Sequence, residues 1–451
     1  MSIEVEKIPG LLTFPNIVEK IYSDRKRQHL VYLWEDLFNA QGRLFLTQKR
    51  DGFYQNEGGV GRAIRCSETD PTILSPETVV KDGPGGVPHG YKYSELDEYF
   101  EDALTVASTA AKIIDEVRMK KLKEWKQLAK VVSTQAEPYM NGEFEKAKEA
   151  YMGIKQTSPL VDDPVFTLQD IYLDEHGYKY SFLGWLDRLN PGLTDYYNRL
   201  AQKAISKIKD KSKPDVFFRV RVGEVAWFSG LASEMEWSGQ SRRLGANAVV
   251  NIFPNSFNRK FETKLKGRIQ RYVPEVTHGL GWSRMAKSAT QIMLIMHELG
   301  HTQSSIETGE LGDLTSSMKE LTAEVNGHRA LVELPPSTFS GEKLRMIFAC
   351  SFAWAMSDIE DYENEIDPKK KEALKSYYDS GKALINHYTK KRCLKVNEDN
   401  RTIALGDMNL FREAAPGYAY FLREMIGMQT DFPGVIKRIF PAYPSDSPEE
   451  Y

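Results

Sequence analysis

The sequence predicts a mainly α-helical fold with a small β region. Helical periodicity continues with few interruptions from residue 284 to residue 428, so most of the second half of the chain is expected to be helix. Only two short stretches, 217–227 and 248–253, have the β-branched and aromatic composition that is typical of strands. With 451 residues, the chain is long enough to bury a large core and to form two lobes.

The individual elements follow from apolar periodicity and from turn residues. A stretch rich in proline and glycine, residues 67–90, is expected to be a surface loop or linker. Pro335 and Pro336 end one helix, and the pair Asp367-Pro368 starts another. Helices are predicted over 95–131, 142–153, 195–210, 284–305, 315–333, 342–361, 369–392 and 408–428.

Composition limits the kinds of partner and compartment. A net charge of −3 gives no positive field for nucleic acid or acidic lipid, and no apolar run reaches the length of about 18 residues that a membrane span needs. Cys66, Cys350 and Cys393 are too few and too far apart for a disulfide framework, so reduced thiols are expected. The N-terminal residues lack the apolar segment of a secretory signal, and a cytoplasmic location is therefore predicted. The oligomeric state is left open.

The stretch IMLIMHELGHTQ, 292–303, places two histidines one helical turn apart. On a helix, His297 and His301 lie on one face and can direct ring nitrogens to a single point, which is the arrangement that Zn²⁺ accepts. Glu298 would then lie beside a zinc-activated water and could take its proton, as in the HExxH motif. The preceding apolar run indicates that this helix is buried.

A third metal ligand is expected from the downstream segment SSMKELTAEVNGHRAL. Eighteen residues separate His301 from Glu320, which leaves room for a loop and a second helix that returns to the first. The resulting His, His and Glu set is that of gluzincin peptidases. Glu324 is on the same face and could brace a histidine ligand. Two alternatives remain: Ser317-x-x-Glu320 also fits a helix capping box, and His328 is favoured as a core residue over a ligand.

Together, MHELGH and KELTAEVNG resemble the dipeptidyl peptidase III family of zinc peptidases, and NIFPN at 251–255 is similar to that family's N-x-P-N type segment. The resemblance covers about residues 245–332. It implies Glu320 as the zinc ligand, Glu324 as the histidine brace, and Asn251 and Asn255 as contacts to the substrate backbone. The family's helix motif is HExxxH, whereas this chain has the plain HExxH spacing.

The rest of the site follows from these assignments. The strand AVVNIF, running into a turn at Pro254, is expected to be an edge strand that can pair with an extended substrate. Candidates for stabilising an oxyanion lie near the C-terminus; they are His387, Tyr418 and Arg423. We divide the chain into an N-terminal, mainly helical region, 1–210, that forms part of the substrate cleft, and a zinc-binding catalytic region, 211–451.

The predicted fold is therefore a zinc-metallopeptidase-like helical catalytic domain with an HExxH helix. The leading interpretation is a zinc-dependent hydrolase, a metallopeptidase that cleaves short peptides or amides with Glu298 as general base. One alternative, favoured by the short chain, is the same fold recruited to a small-molecule reaction with zinc as Lewis acid. A second is a non-enzymatic protein stabilised by zinc, against which the intact Glu298 argues.

Overall fold

The structure, a computed structural model, describes residues 10–23, 28–51, 60–119, 126–143, 146, 162–168, 179–208, 217–244, 247–303, 315–427 and 439. The chain separates into two compact units. The first comprises residues 1–192 and 222–238, and the second comprises residues 193–221 and 239–451. Separate roles for the regions 1–210 and 211–451 stay a prediction.

The secondary structure of the described residues is mainly helical, as the sequence predicts. The helices are α1 (Pro15–Tyr22), α2 (Gln28–Asp51), α3 (Val60–Cys66), α4 (Asp97–Met119), α5 (Lys126–Asn141), α6 (Pro191–Ile208), α7 (Leu231–Met235), α8 (Pro254–Lys260), α9 (Lys266–Tyr272), α10 (Trp282–Gln303), α11 (Thr315–Glu333), α12 (Gly341–Asn364), α13 (Pro368–Lys390) and α14 (Met408–Gly427). The strands are β1 (Leu11–Thr13), β2 (Thr78–Asp82), β3 (Pro88–Lys92), β4 (Asp162–Leu168), β5 (Phe182–Leu189), β6 (Phe217–Gly230), β7 (Gly239–Leu244), β8 (Asn247–Ile252), β9 (Leu394–Asn397) and β10 (Thr402–Leu405).

The first unit contains an antiparallel sheet covered by helix α2. Strand β5 pairs with β4 on one side and with β6 on the other, with Trp185 opposite Phe228, and β1 pairs with the far edge of β6. Helix α2 places Trp34 and Phe38 in a stack that continues to Trp227 of β6. These rings are almost fully buried, so the core of this unit lies between α2 and the sheet.

Residues 67–90 are not a loop, and this sequence prediction is wrong. They form a short 3₁₀ helix, Pro71–Leu74, followed by the antiparallel hairpin β2–β3, in which Val80 faces Gly90. Gly83, Gly85 and Gly86 lie at the turn of this hairpin, where Gly85 and Gly86 have φ values of 77° and 72°, and Gly90 pairs within β3. The β-branched run Thr78–Val80 in β2 and the aromatic Tyr91 in β3 favour strand pairing.

The second unit is built from long helices, and here the predicted bounds agree closely with the structure. The prediction of 315–333 coincides with α11, and the strand predicted at 248–253 is β8, which pairs with β7. Most of the helix predicted at 142–153 lies outside the described residues. Among the described helices, none is both long and apolar enough to cross a membrane. The three cysteines are free thiols, as predicted.

An aromatic cluster forms part of the core of the second unit. Phe348 and Phe352 of α12 pack against Tyr388 of α13 and Phe411 of α14, with ring centroids between 4.7 and 6.2 Å apart. All four rings are fully buried. This cluster lies against α11 through His328, and it therefore forms one wall behind the candidate site described next.

Candidate metal centre

Helix α10 carries the HExxH motif at its C-terminal end. The apolar run Ile292–Met296 is buried, as the sequence predicts, and it anchors the helix in the core of the second unit. The i, i+4 spacing brings His297 and His301 to one side, where their rings meet edge to face with centroids 4.6 Å apart.

Two glycines bring helix α11 against α10 with no side chain between the backbones. A Cβ atom on Gly300 would lie 2.1 Å from the carbonyl oxygen of Ala323, and one on Gly327 would lie 2.9 Å from that of Met296. A Cβ atom essentially never lies within 3.0 Å of a heavy atom from a non-neighbouring residue. At the observed separation of the two helices, both positions therefore exclude any residue larger than glycine. This close approach places Glu320 opposite the two histidines.

The three predicted ligands converge. The Nε2 atoms of His297 and His301 are 3.0 Å apart, and Oε2 of Glu320 lies 3.3 Å from the first and 3.7 Å from the second. Ligand atoms around a tetrahedral zinc ion, with bonds of 2.0–2.1 Å, are separated by about 3.3 Å. Within the described residues this is the group of His, Cys, Asp and Glu side chains that could hold a metal ion.

An unpaired polar atom in the cluster fits a metal ligand. Oε2 of Glu320, which faces the Nε2 atoms of both histidines, is buried and has no hydrogen-bond partner among the described residues. Buried polar atoms are rarely left unsatisfied, because desolvation without a partner is costly. The donor set of two imidazoles and one carboxylate fits zinc, so the residues present are suited to the metal that the sequence implies.

The charges of the cluster are strongly coupled. Burial opposes ionisation of Glu320 and Glu324, but the nearby histidines outweigh it and lower the pKa of both carboxyl groups. Burial lowers the pKa of His301, whereas the two carboxylates outweigh burial at His297 and raise its pKa well above the usual value. Ionised carboxylates and a neutral His301 are the forms that bind a metal, and His297 would release its proton on binding.

The capping-box alternative for Glu320 is wrong. Helix α11 begins at Thr315, so Ser317 lies inside the first turn and is not the residue that precedes the helix. The hydroxyl of Ser317 donates a hydrogen bond to Asp379, with 3.0 Å between the oxygens. Glu320 is therefore free of a capping role and extends toward the histidines.

Glu324 lies one turn beyond Glu320 and faces two histidines. Its Oε1 atom is 3.6 Å from Nδ1 of His297, and its Oε2 atom is 3.9 Å from Nε2 of His328. The first contact is the one expected of a residue that braces a histidine ligand, and the bracing role stays a prediction. His328 is 1% exposed, in agreement with the prediction of a core residue.

Glu298 follows the first ligand, as the motif requires. Its carboxylate is close enough to act electrostatically on His301. A residue that the sequence did not single out, Asp358 of α12, interacts electrostatically with Glu320 and Glu324. Burial and the neighbouring Asp361, followed by those two carboxylates, raise the pKa of Asp358 well above its usual value.

The three oxyanion candidates lie on the last two long helices, α13 and α14. His387 and Tyr418 stack on each other with ring centroids 3.7 Å apart, and the Tyr418 hydroxyl donates to the carbonyl of Ala383. Burial, with the adjacent Lys391, lowers the pKa of His387 to about 4. Arg423 is exposed on α14. Roles for these residues in the reaction stay predictions.

Two details of the predicted substrate strand are wrong. Strand β8 lies between β6 and β7 in the sheet, so it is not an edge strand. Pro254 does not form a turn, because it begins helix α8, a position at which its fixed φ is favourable. Asn251 is fully buried on β8 opposite Gln240, and Asn255 is partly exposed in the first turn of α8. Their contact with substrate stays a prediction.

The sequence reasoning missed the two helix-contact glycines. Gly300 stands inside the HExxH motif, and Gly327 stands within the predicted helix 315–333. Glycine in a helix interior is unfavourable by about 1 kcal/mol relative to alanine. An isolated glycine in a helical pattern therefore indicates a packing role, and that signal could have located the contact.

Comparison with known proteins identifies the architecture as a dipeptidyl peptidase III-like fold. The chain matches the structure of DPP III from Caldithrix abyssi with a TM-score of 0.71 and 14% sequence identity, over 94% of this chain and 91% of that one. It also matches dipeptidyl-peptidase III from Corallococcus sp. strain EGB with a TM-score of 0.60 and 17% identity, over 86% of this chain and 76% of that one. No protein family model and no curated protein matches the sequence.

These matches extend well beyond the motif region. The sequence resemblance covers about residues 245–332, whereas the structural similarity covers most of the chain and bears out the predicted fold. The chain spans nearly the full length of the Caldithrix protein.

Proposed function

We propose that this chain is a zinc-dependent hydrolase, and within that class a metallopeptidase that cleaves short peptides or amides. The observation that carries the proposal is the triangle of His297, His301 and Glu320 ligand atoms, with sides of 3.0, 3.3 and 3.7 Å. It occurs within a fold shared with two proteins described as dipeptidyl peptidase III.

The number of ligands supports a catalytic site over a structural one. The group found in the described part of the chain comprises three residues. Structural zinc sites are closed by four protein ligands, whereas catalytic sites keep a position for water or substrate. Glu298 adds a carboxylate beside the first ligand, which a structural site would not need. The non-enzymatic alternative is therefore less well supported.

The chain's own groups would divide the reaction between them. Zinc, when bound, supplies a Lewis acid that polarises the scissile carbonyl and lowers the pKa of the attacking water. Glu298 takes the proton of that water and transfers it to the leaving nitrogen. The buried helix α10 excludes bulk water from one side of these groups, which strengthens the electrostatic interactions made there.

We assign contact with the substrate backbone to Asn255 first and to Asn251 second. Asn255 is partly exposed at the start of α8, whereas Asn251 is 0% exposed. An amide side chain can both donate and accept, which suits the alternating groups of a peptide backbone. Asn255→Ala should raise KM by a few-fold to tenfold, the effect of losing one hydrogen bond of about 0.5–1.5 kcal/mol, with zinc content unchanged.

The proposal is tested with protein purified without added metal. Elemental analysis should find close to one zinc per chain, and mass spectrometry should find cleavage of an oligopeptide library. Cleavage should stop when a chelator removes the metal and return when zinc is restored. Zinc without cleavage of any peptide would overturn the peptidase assignment and favour the small-molecule alternative. Absence of metal binding would overturn the hydrolase as a whole.

A further inference from the structure

His328 is a polar side chain enclosed by aromatic rings. It lies on α11 one turn after Glu324 and is 1% exposed. The rings of Phe348, Phe352 and Tyr388 surround it, with centroids 4.8, 5.6 and 5.4 Å from that of the imidazole. Burial of a polar group in such a pocket is unfavourable unless hydrogen bonds replace its water.

Both ring nitrogens of His328 have polar neighbours. Nδ1 is 3.1 Å from the hydroxyl oxygen of Tyr388, and Nε2 is 2.8 Å from Oγ of Ser351. On the same side as Ser351, Oε2 of Glu324 lies 3.9 Å from Nε2. The imidazole therefore has a hydroxyl group on one side and a hydroxyl group together with a carboxylate on the other.

These neighbours define one tautomer. Burial lowers the pKa of His328 to about 4, so the ring is neutral and has one donor and one acceptor nitrogen. Burial also raises the pKa of Tyr388 well above its usual value, so its hydroxyl keeps its proton and can either donate to Nδ1 or accept from it. The ionised Glu324 carboxylate lies on the Nε2 side and favours the tautomer with the proton on that nitrogen. In this tautomer Nε2–H donates to Ser351 Oγ at 2.8 Å and the Tyr388 hydroxyl donates to Nδ1.

Glu324 is thus placed between two histidines. Its Oε1 atom approaches Nδ1 of the ligand His297 at 3.6 Å, and its Oε2 atom approaches Nε2 of His328 at 3.9 Å. We propose that Tyr388 and His328 are positioning residues that hold the Glu324 carboxylate against His297. Through Glu324, they would thereby fix the orientation and tautomer of the metal ligand His297, which neither of them contacts directly. This inference rests on the metal centre of the proposed function.

An aromatic or aliphatic residue at position 328 would fill the same pocket with no desolvation cost. The polar side chain at this position contacts Tyr388 on one side and approaches Glu324 on the other, and α11 carries Glu320, Glu324 and His328 at successive i+4 spacing on one face. The same helix therefore presents a ligand, its brace and the support of that brace.

The test measures zinc affinity by chelator competition, which requires no turnover. His328→Leu should raise the Kd for zinc by about tenfold, at the lower end of the 10–100-fold range for residues behind a metal ligand. Tyr388→Phe removes one oxygen and should raise it by about threefold, since only the support of the tautomer is lost. The matched control is Tyr272→Phe, which removes a buried hydroxyl that donates to Glu360 in the same unit and should leave the Kd unchanged.

A double-mutant cycle separates positioning from a general effect on packing. In a Glu324→Gln background, His328→Leu should have no further effect on the Kd, because the carboxylate that it positions is gone. If His328→Leu fails to fold, Tyr388→Phe, which retains the ring, is measured in the same cycle.

Two results would overturn the positioning role of His328 and Tyr388 and leave the proposed function intact. One is a wild-type Kd for zinc in both variants; the other is an equal rise of the Kd with and without the Glu324 carboxylate. A wild-type protein that binds zinc and cleaves no peptide would overturn the peptidase assignment, while the double-mutant cycle would still test whether His328 and Tyr388 position Glu324. A wild-type protein that binds no zinc would overturn both.

Discussion

Two helix pairs of the second unit each carry candidate functional residues, but they are joined by different means. Helices α10 and α11 meet through Gly300 and Gly327, and charged groups converge beside that contact. Helices α13 and α14 meet through the flat stack of His387 on Tyr418. The first pair brings carboxylates to imidazoles, whereas the second buries an imidazole against a ring and so lowers its pKa. The comparison indicates that the neighbours of a histidine decide whether it is suited to bind a metal. Carboxylates beside the ring, brought there by close approach of the backbones, favour metal binding, whereas an aromatic ring does not.

The largest effect is expected when the α10–α11 pair loses a ligand. His301→Ala leaves two ligand side chains, and the chain should then lose its zinc and its hydrolytic activity. Elemental analysis checks this result, with the exposed His278→Ala as a matched control that keeps the metal. Full zinc content in the His301 variant would show that the cluster is not the metal site.

The next largest effect concerns the carboxylate beside the ligands. Glu298→Gln keeps the shape of the side chain and removes its ability to take a proton, so turnover should fall by about 10² or more. Zinc content and the free energy of unfolding should remain close to those of wild type. An unchanged turnover number, measured at saturating peptide, would exclude Glu298 as the general base.

An intermediate effect is expected at the glycine contact. Gly300→Ala places a methyl group 2.1 Å from the Ala323 carbonyl oxygen, so α10 and α11 must separate. Overpacking of this kind lowers the free energy of unfolding by about 1–3 kcal/mol, and the displaced ligands should bind zinc at least tenfold more weakly. In contrast, Gly267→Ala in α9 meets open space and should be neutral or stabilising. Equal effects of the two substitutions would show that the helix contact does not determine the ligand geometry.

The smallest effect on the metal centre is expected from the α13–α14 pair. His387→Ala removes the stack on Tyr418 and should lower the free energy of unfolding by about 0.5–1.5 kcal/mol, with zinc content retained. Chemical denaturation and elemental analysis measure the two quantities. A large loss of turnover with unchanged stability would instead support His387 as an oxyanion-stabilising residue, and would make the two helix pairs parts of one site.

The sequence predicted the elements whose periodicity is long and regular. Helix α11 was placed at its observed bounds, and the convergence of His297, His301 and Glu320 followed from helical spacing and the length of the connection. The strand predicted at 217–227 is β6, but its partners in the sheet of the first unit, β1, β4 and β5, were missed, since buried strands show little alternation, as in the run FLGWL of β5. The contacts of His328 could not be predicted, because Ser351 and Tyr388 come from other helices and only packing brings them together.

The direct contact of α10 with α11 has a thermodynamic consequence. Since the backbones of α10 and α11 touch at Gly300 and Gly327, we expect the site to be assembled when the helices pack, before any ion arrives. Zinc would then be captured by a preorganised cage, in contrast to zinc fingers, whose fold appears only with the metal. In such a protein zinc stabilises the folded state by mass action. It raises the free energy of unfolding by about 2.7 kcal/mol when the free zinc concentration is one hundred times the Kd. The apoprotein should therefore keep the helical circular dichroism of the loaded form and differ from it in melting temperature.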